Sequence, residues 1–341
     1  MKAVYIQDAY QVEVQEVEVP KLTDQDVLIE VKIAGICGSD IHTYKGLHPF
    51  RKPPVIIGHE ISGVVKEVGK DVTHVKVGDN VTVEPQIGCG ECVYCRDGQV
   101  NLCTNRTAPG LNGWFGTMAE YFVAPKETVF LLPDTMDHVQ GVLVEPLAVG
   151  VHAIRKGQIG VGSRVAILGA GPIGLLAMAV ARASGATVTY VTDVLDYALD
   201  AAKEMGASHT KNIRDNASWH EEAINESGGL FDVVLIAAGI PGIIDDSLKL
   251  LRKGGKVITI AMFNGTQTFD IHNLQNQEKE IIGCMTYNSV DTETAIELLN
   301  TNQIIIEPLI SHQLHMDQAG YGFQIVDKKQ DNSLKVLVSF E

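Results

Sequence analysis

Basic residues are scarce in this chain. Against 42 aspartates and glutamates stand 27 lysines and arginines, a formal net charge of −15 over 341 residues. That shortage argues against a surface for nucleic acid or anionic membrane, both of which are held by positive charge. A small substrate is untouched by the argument, because it meets only its own pocket. An unbroken apolar run is lacking as well. The longest apolar stretch, 165–183, is interrupted by Gly169, Gly171, Pro172 and Gly174, which speaks against a membrane-spanning helix. The opening residues, Met1-Lys2-Ala3-Val4-Tyr5-Ile6-Gln7-Asp8, carry no signal-peptide apolar region, so a cytoplasmic, reducing location is expected. Internal repeats and low-complexity segments are absent too. Hydrophobic residues at 45% and charged residues at 20% describe an ordinary globular composition. At this length a single core is too small, and two domains are expected.

Cysteine is sparse except in one place. Four of the six fall within fifteen residues, Cys89, Cys92, Cys95 and Cys103, spaced C-x2-C-x2-C-x7-C. Four thiolates on a short lobe satisfy the tetrahedral preference of Zn²⁺ and leave no open position, so the site reads as structural. Gly88, Gly90 and Gly98, with Arg96 and Asp97 between the thiols, suit a tight loop. A pair of disulfides is the alternative in an oxidising compartment, and an iron–sulfur cluster would use the same four donors.

Up to about residue 150 the chain is β-rich. Val12 to Val19 alternates apolar and polar; 27–33 and 61–68 read as strands; 75–83 reads as two short strands about a Gly-Asp-Asn turn. Short strands punctuated by Gly and Pro point to a closed, barrel-like domain. From about Ser163 to Met262 the pattern changes to apolar strands (165–168, 187–192, 232–236, 256–260) alternating with helical runs, which implies a parallel, doubly wound sheet. A last strand, 333–338, is expected to rejoin the first domain. The expected organisation is α/β: a β-rich catalytic domain over 1–150 with the cysteine lobe at 86–108, a cofactor domain over 151–282, and a return to the first domain over 283–341.

Gly169-Ala170-Gly171-Pro172-Ile173-Gly174 fits G-x-G-x-x-G with a strand before it and a helix after it. Gly169 permits the tight turn, Gly171 lets backbone approach a pyrophosphate, and Gly174 allows close packing of helix on strand. Asp193 lies 22 residues after Gly171 at the end of the next strand. A carboxylate there binds ribose hydroxyls and repels a 2′-phosphate, which favours NAD over NADP. Ala238, after the fourth strand of this region, is placed near the nicotinamide half by position.

Cys37, His59, Glu60 and Glu145 supply a thiol, an imidazole and two carboxylates, a set that could bind Zn²⁺ and leave a position for substrate oxygen. Singly, each has a plainer reading: Cys37 as a small buried apolar residue, His59 as an ordinary histidine, Glu145 as a helix start before Pro146.

Gly58-His59-Glu60 with the Cys37 segment, the four-cysteine lobe and the GAGPIG turn together resemble the zinc-dependent medium-chain dehydrogenase/reductase family along essentially the whole chain. The Val144-Glu145-Pro146-Leu147-Ala148 segment is similar to the sorbitol (polyol) and butanediol dehydrogenase branch. The resemblance implies a Rossmann cofactor domain joined to a GroES-like barrel and two zinc ions. It gives Cys37, His59 and Glu60 as ligands of the catalytic zinc, Glu145 as a ligand directly or through water, and the four lobe cysteines as ligands of the structural zinc. Ser39 and His42 match proton-relay positions of related enzymes. It also implies a homodimer or homotetramer acting on a small alcohol. Two departures from mammalian sorbitol dehydrogenases stand out: Thr286 and Ala198 align where those enzymes carry arginines, which puts sorbitol itself in doubt and loosens the hold on the adenosine end. A threonine or amino-alcohol dehydrogenase, or a non-catalytic zinc-containing binding or sensing protein, would also fit parts of the pattern. Cys284 reads as core and His152 as structural. Trp114 and Phe115 would line a substrate cleft or pack a turn.

Overall fold

Where the sequence alternates short apolar strands with alanine- and leucine-rich helices, the chain builds one parallel sheet. The computed structural model describes residues 1–263 and 265–341. They divide into two compact units: Met1–Glu145, Asn288–Thr301 and Ile310–Glu341 form the first, Pro146–Tyr287 and Asn302–Leu309 the second. The boundary at 145/146 falls inside the helix His138–Gly157, at its internal Pro146, where the ring removes a backbone donor and disfavours regular helix.

In the second unit six strands lie in the order His209–Asn212, Val188–Asp193, Arg164–Leu168, Phe231–Ile236, Leu251–Thr259, Glu280–Gly283. Every neighbour is parallel. Counted from the first strand of the sheet this is 3-2-1-4-5-6, the dinucleotide-binding order, whose reversal point lies between the first and fourth strands. Val165, Ala166, Ile167 and Leu168 are fully buried, as a strand covered on both faces requires. The helix Pro172–Ala183 begins with proline at its first position, where no donor is lost.

The first unit is built on the strand Asp26–Ile36. It pairs antiparallel with Glu60–Val68 along one edge, and on the other with Tyr121–Pro125 at its start and Lys335–Ser339 at its end. Its inward residues change parity along the way. Val27, Ile29 and Val31 join the cluster of Ile61, Val65, Val81, Val83 and Phe122, whereas Ala34 and Ile36 join Val4, Ile6, Met118 and Phe323. The switch coincides with a register shift between Val31 and Ile33; one extra residue turns every later side chain to the opposite face. The strand thus serves two cores, and Gly35 is turned toward Glu60.

Between 75 and 83 the structure holds one strand, Asn80–Val83, where the sequence suggested two. Val75 is buried while Val77 is 60% exposed. The Lys76 N–H donates to Asp79 Oδ2 at 2.9 Å, so an Asp-centred turn takes up the backbone groups that a ladder would have used.

Candidate functional site

The metal-type cluster follows from strand register. Gly35 stands opposite Glu60, so the residues just beyond the ends of this antiparallel pair, Cys37 on one side and His59 on the other, are brought together across 22 positions of sequence. Cys37 caps the helix Gly38–Tyr44 in an extended conformation, and its N–H donates to Asp40 Oδ2 at 3.0 Å. Gly58 precedes His59 at φ +101, and a Cβ there would lie 2.7 Å from Thr117 Oγ1 and 2.8 Å from Met118 Cγ. Only glycine takes that turn without strain. One donor atom each from Cys37, His59 and Glu60 lies within 4.8 Å of the others. His59 and Glu60 are buried, at 8% and 1% exposure.

Two charges behind these donors escaped the sequence reading. Asp40 is fully buried, and its Oδ1 lies 3.2 Å from His59 Nδ1 and 3.8 Å from Arg51 Nη1. The carboxylate faces the Nδ1 side of the imidazole as an ion-pair partner, the position from which metal-ligating histidines are usually supported. Burial acts to lower the His59 pKa, but the Asp40 carboxylate and the Cys37 thiol override it and hold the imidazole well above its usual range. Burial likewise opposes ionisation of Asp40, yet His59 and Arg51 keep its pKa lowered. The second charge is Lys335, whose Nζ pairs with Glu60 Oε2 and donates to Ile36 O at 3.4 Å. Asp40 announces itself weakly in sequence, three residues after a helix cap. Lys335 does so as a lone lysine inside an apolar strand.

Glu145 is not within that three-donor cluster. It is buried at 8% exposure just before the helix-interrupting Pro146, and its charge is felt at Lys335. Ser39 and His42 lie half-buried, one turn apart on the helix Gly38–Tyr44. Further along, His48 Nδ1 accepts from the N–H groups of Phe50 (3.2 Å) and Arg51 (2.9 Å). Burial and the Arg51 charge push its pKa down to about 4.

In the lobe the four cysteine sulfurs also lie within 4.8 Å of one another. None of the six cysteines is joined in a disulfide. Backbone N–H groups already point at sulfur: Cys89 N–H at Cys103 Sγ (3.3 Å) and Cys95 N–H at Cys92 Sγ (3.4 Å). The first of these lowers the Cys103 pKa to about 7, while desolvation and the neighbouring thiols raise Cys95 to about 12. Four thiols this close ionise together only with a cation among them. A Cβ at Gly88 would stand 2.5 Å from Cys95 Sγ, which is why the lobe needs glycine there. Soft sulfur donors in one set, and S, N and O donors in the other, both fit Zn²⁺.

The glycine turn sits at the reversal point of the parallel sheet. Gly169 takes φ +112, and a Cβ would come within 2.9 Å of Ala238 Cβ; Ala238 thus flanks the turn. A Cβ at Gly174 would overlap Gly169 O, whereas one at Gly171 would meet nothing within 4 Å. Asp193 Oδ2 accepts from Ala170 N–H at 2.7 Å, and Oδ1 from Val194 N–H at 2.7 Å and Leu195 N–H at 3.1 Å. Ala170 N–H ties the carboxylate to the turn, and the two N–H groups that follow Asp193 fix its other oxygen.

Thr286 adopts φ +45, a strained region for a β-branched residue. Trp114 stacks on Phe122 with ring centroids 5.8 Å apart and donates from Nε1 to Val123 O at 2.9 Å, so it packs against the barrel core. Phe115 is 44% exposed.

Known proteins resemble this chain in sequence and fold. Residues 23–134 match the family described as alcohol dehydrogenase GroES-like domain, and residues 172–301 that described as zinc-binding dehydrogenase. Sorbitol dehydrogenase of Bacillus subtilis (strain 168) is 33% identical over 99% of this chain and 97% of its own length. Among solved structures, a zinc-binding dehydrogenase of Sinorhizobium meliloti 1021 bound to NADP superposes with a TM-score of 0.92 at 32% identity, covering 99% of this chain and 98% of the other. The 2R,3R-butanediol dehydrogenase of Bacillus subtilis gives 0.90 at 29% identity, covering 100% and 99%. With a GroES-like domain, a 3-2-1-4-5-6 parallel sheet and relatives matched end to end, the chain belongs to the zinc-dependent medium-chain dehydrogenase/reductase family, in its sorbitol dehydrogenase-like polyol branch.

Proposed function

We propose that the protein is an NAD-dependent zinc dehydrogenase of a polyol or vicinal diol, with one catalytic and one structural zinc per chain. The observation that carries this is the Cys37–His59–Glu60 donor set with Asp40 behind His59, in a chain of a family whose members oxidise alcohols. Zinc at that site supplies Lewis acidity to the substrate oxygen, and the nicotinamide supplies the hydride acceptor. The chain's own residues do the rest. Asp40 and Arg51 orient the imidazole. Glu145, outside the three-donor cluster, fits a role through water. Ser39 and His42, stacked on one helix face, offer a path for the alcohol proton toward solvent. Cys89, Cys92, Cys95 and Cys103 hold the structural ion.

For the cofactor, the fixed Asp193 carboxylate at the turn supports NAD through ribose hydroxyl contacts and repulsion of a 2′-phosphate. Two observations favour NADP as a second reading. Arg214 donates from its guanidinium to Val194 O at 2.8 Å, next to Asp193, and the Sinorhizobium relative binds NADP. A homo-oligomer is the proposed assembly: Glu280–Gly283 ends the parallel sheet with an open edge, and Met285 beyond it is 47% exposed. Six cysteines outside any disulfide suit a reducing, cytoplasmic home.

Reduction of NAD and NADP at 340 nm against polyols, vicinal diols and L-threonine, with zinc counted on the same sample, tests the reading. Activity on polyols or diols that a chelator abolishes supports it. Activity confined to L-threonine replaces it with an amino-alcohol dehydrogenase. One zinc per chain and no activity replaces it with a binding or sensing role.

A further inference from the structure

Lys335 is 1% exposed on the strand Lys335–Ser339. Three adjacent strands converge on its ammonium. Glu60 begins one and carries the paired carboxylate, Ile36 O accepts from another, and the lysine itself sits on the third. Room for the pair is made by Gly35, opposite Glu60 on one side and Leu337 on the other. A Cβ at 35 would collide with Glu60 Oε2 and stand 3.1 Å from Lys335 Cε. The sequence therefore keeps a glycine inside a strand, where it weakens the ladder, to house one buried ion pair.

Stability is a poor reason for such a pair, since desolvation of two ions offsets most of their attraction. Charge balance gives a better one. Cys37 as thiolate, Glu60 and Glu145 carry three negative charges. A bound dication leaves one uncompensated, and Lys335 cancels it; Asp40 has Arg51. An interior that holds charge at all holds it best when neutral overall.

We propose that Lys335 is a positioning residue for the metal site. By holding Glu60 Oε2 it allows that carboxylate at most one oxygen for the metal, and so keeps a coordination position open for the substrate oxygen. Without the ammonium, Glu60 can turn both oxygens to the cation, which binds more tightly in a closed site. The inference rests on the reading of Cys37, His59 and Glu60 as metal ligands.

The test compares the full-length wild type with Lys335→Met, Lys335→Gln and Lys335→Arg, each carrying Co²⁺ in place of the more exchangeable metal. Lys335→Met and Lys335→Gln should weaken the visible cobalt absorption, as a higher coordination number does. They should also slow metal loss to a chelator by about tenfold, the change that roughly 1.4 kcal/mol of tighter hold on the ion makes in a rate. Lys335→Arg should restore the wild-type spectrum. Spectra and release rates equal to wild type in folded Lys335→Met and Lys335→Gln, or faster release, would overturn the proposal and leave the ligand set standing. Failure of both to fold would assign Lys335 to the fold instead and also overturn it. A wild-type chain that takes metal only at the cysteine lobe would overturn this inference and the ligand assignment together.

Discussion

Asp40 shows what a single buried side chain contributes. It closes the cap of the helix after Cys37 and faces the nitrogen of His59. Asp40→Asn keeps the shape and removes the charge, so the imidazole loses its orienting carboxylate. Metal affinity at the site should fall about 10- to 100-fold, read by competition with a chelator, while metal at the four cysteines stays. His48 makes a second residue-scale prediction. Its pKa is pushed down to about 4, against roughly 6.5 when unfolded. The unfolded chain therefore binds more protons between those values. The sign follows: stability from this group is fully present above pH 6.5, declines as pH falls, and is flat below 4. His48→Asn supplies a carbonyl oxygen to the same two N–H groups without a titrating ring. Unfolding by urea at pH 7 and pH 5 should show a smaller loss in the variant than in wild type. These residues also mark the limit of sequence reading. Cys37, His59 and Glu60 were picked out through segments that resemble a known family, and the structure brings one donor atom of each within 4.8 Å of the others. Asp40, Arg51, His48 and Lys335 act through burial and direction, which a one-dimensional pattern does not carry.

Among elements, the glycine-rich turn was the most legible, because strand, turn and helix follow one another locally, and Gly169 at φ +112 and Gly174 against Gly169 O both sit where a side chain is disfavoured. The strand Asp26–Ile36 was less so: its change of facing depends on a register shift against a partner more than 20 residues away, and hydrophobic alternation alone does not locate a bulge. Asn80–Val83 was misread for a related reason, an aspartate whose side chain captured the backbone of 76–79. The turn itself separates folding from binding. Gly174 has no room for a methyl group, while Gly171, at φ −69, has open space. Gly174→Ala should destabilise the second unit by about 1–3 kcal/mol, as overpacking does, and lower its melting temperature. Gly171→Ala should leave melting within about 0.5 kcal/mol of wild type, yet raise the NADH dissociation constant about tenfold or more, since the methyl group fills space that the pyrophosphate needs. Equal losses of stability in the two variants would refute the assignment of roles within the turn.

For the whole molecule the consequence is a division of labour. The donors Cys37, His59, Glu60 and the neighbouring Glu145, Asp40 and Lys335 all belong to the first unit, and the glycine turn, Asp193 and Ala238 to the second. Each unit has its own buried core, so if the proposed roles hold, a change in one set of candidate residues should leave the other unit's binding intact. Cys37→Ser tests this directly. It removes a thiolate from the metal set with little change in volume and touches nothing in the parallel sheet. Turnover should fall by about a thousandfold, equivalent to roughly 4 kcal/mol of lost transition-state stabilisation. NADH affinity, read by fluorescence titration, should stay within about twofold of wild type. Zinc analysis should show the lobe ion retained. A Cys37→Ser protein with full turnover would remove Cys37 from the reaction. One that lost NADH affinity in proportion to turnover would show that the two units do not bind their ligands independently, and the loss of rate could then no longer be assigned to the metal site.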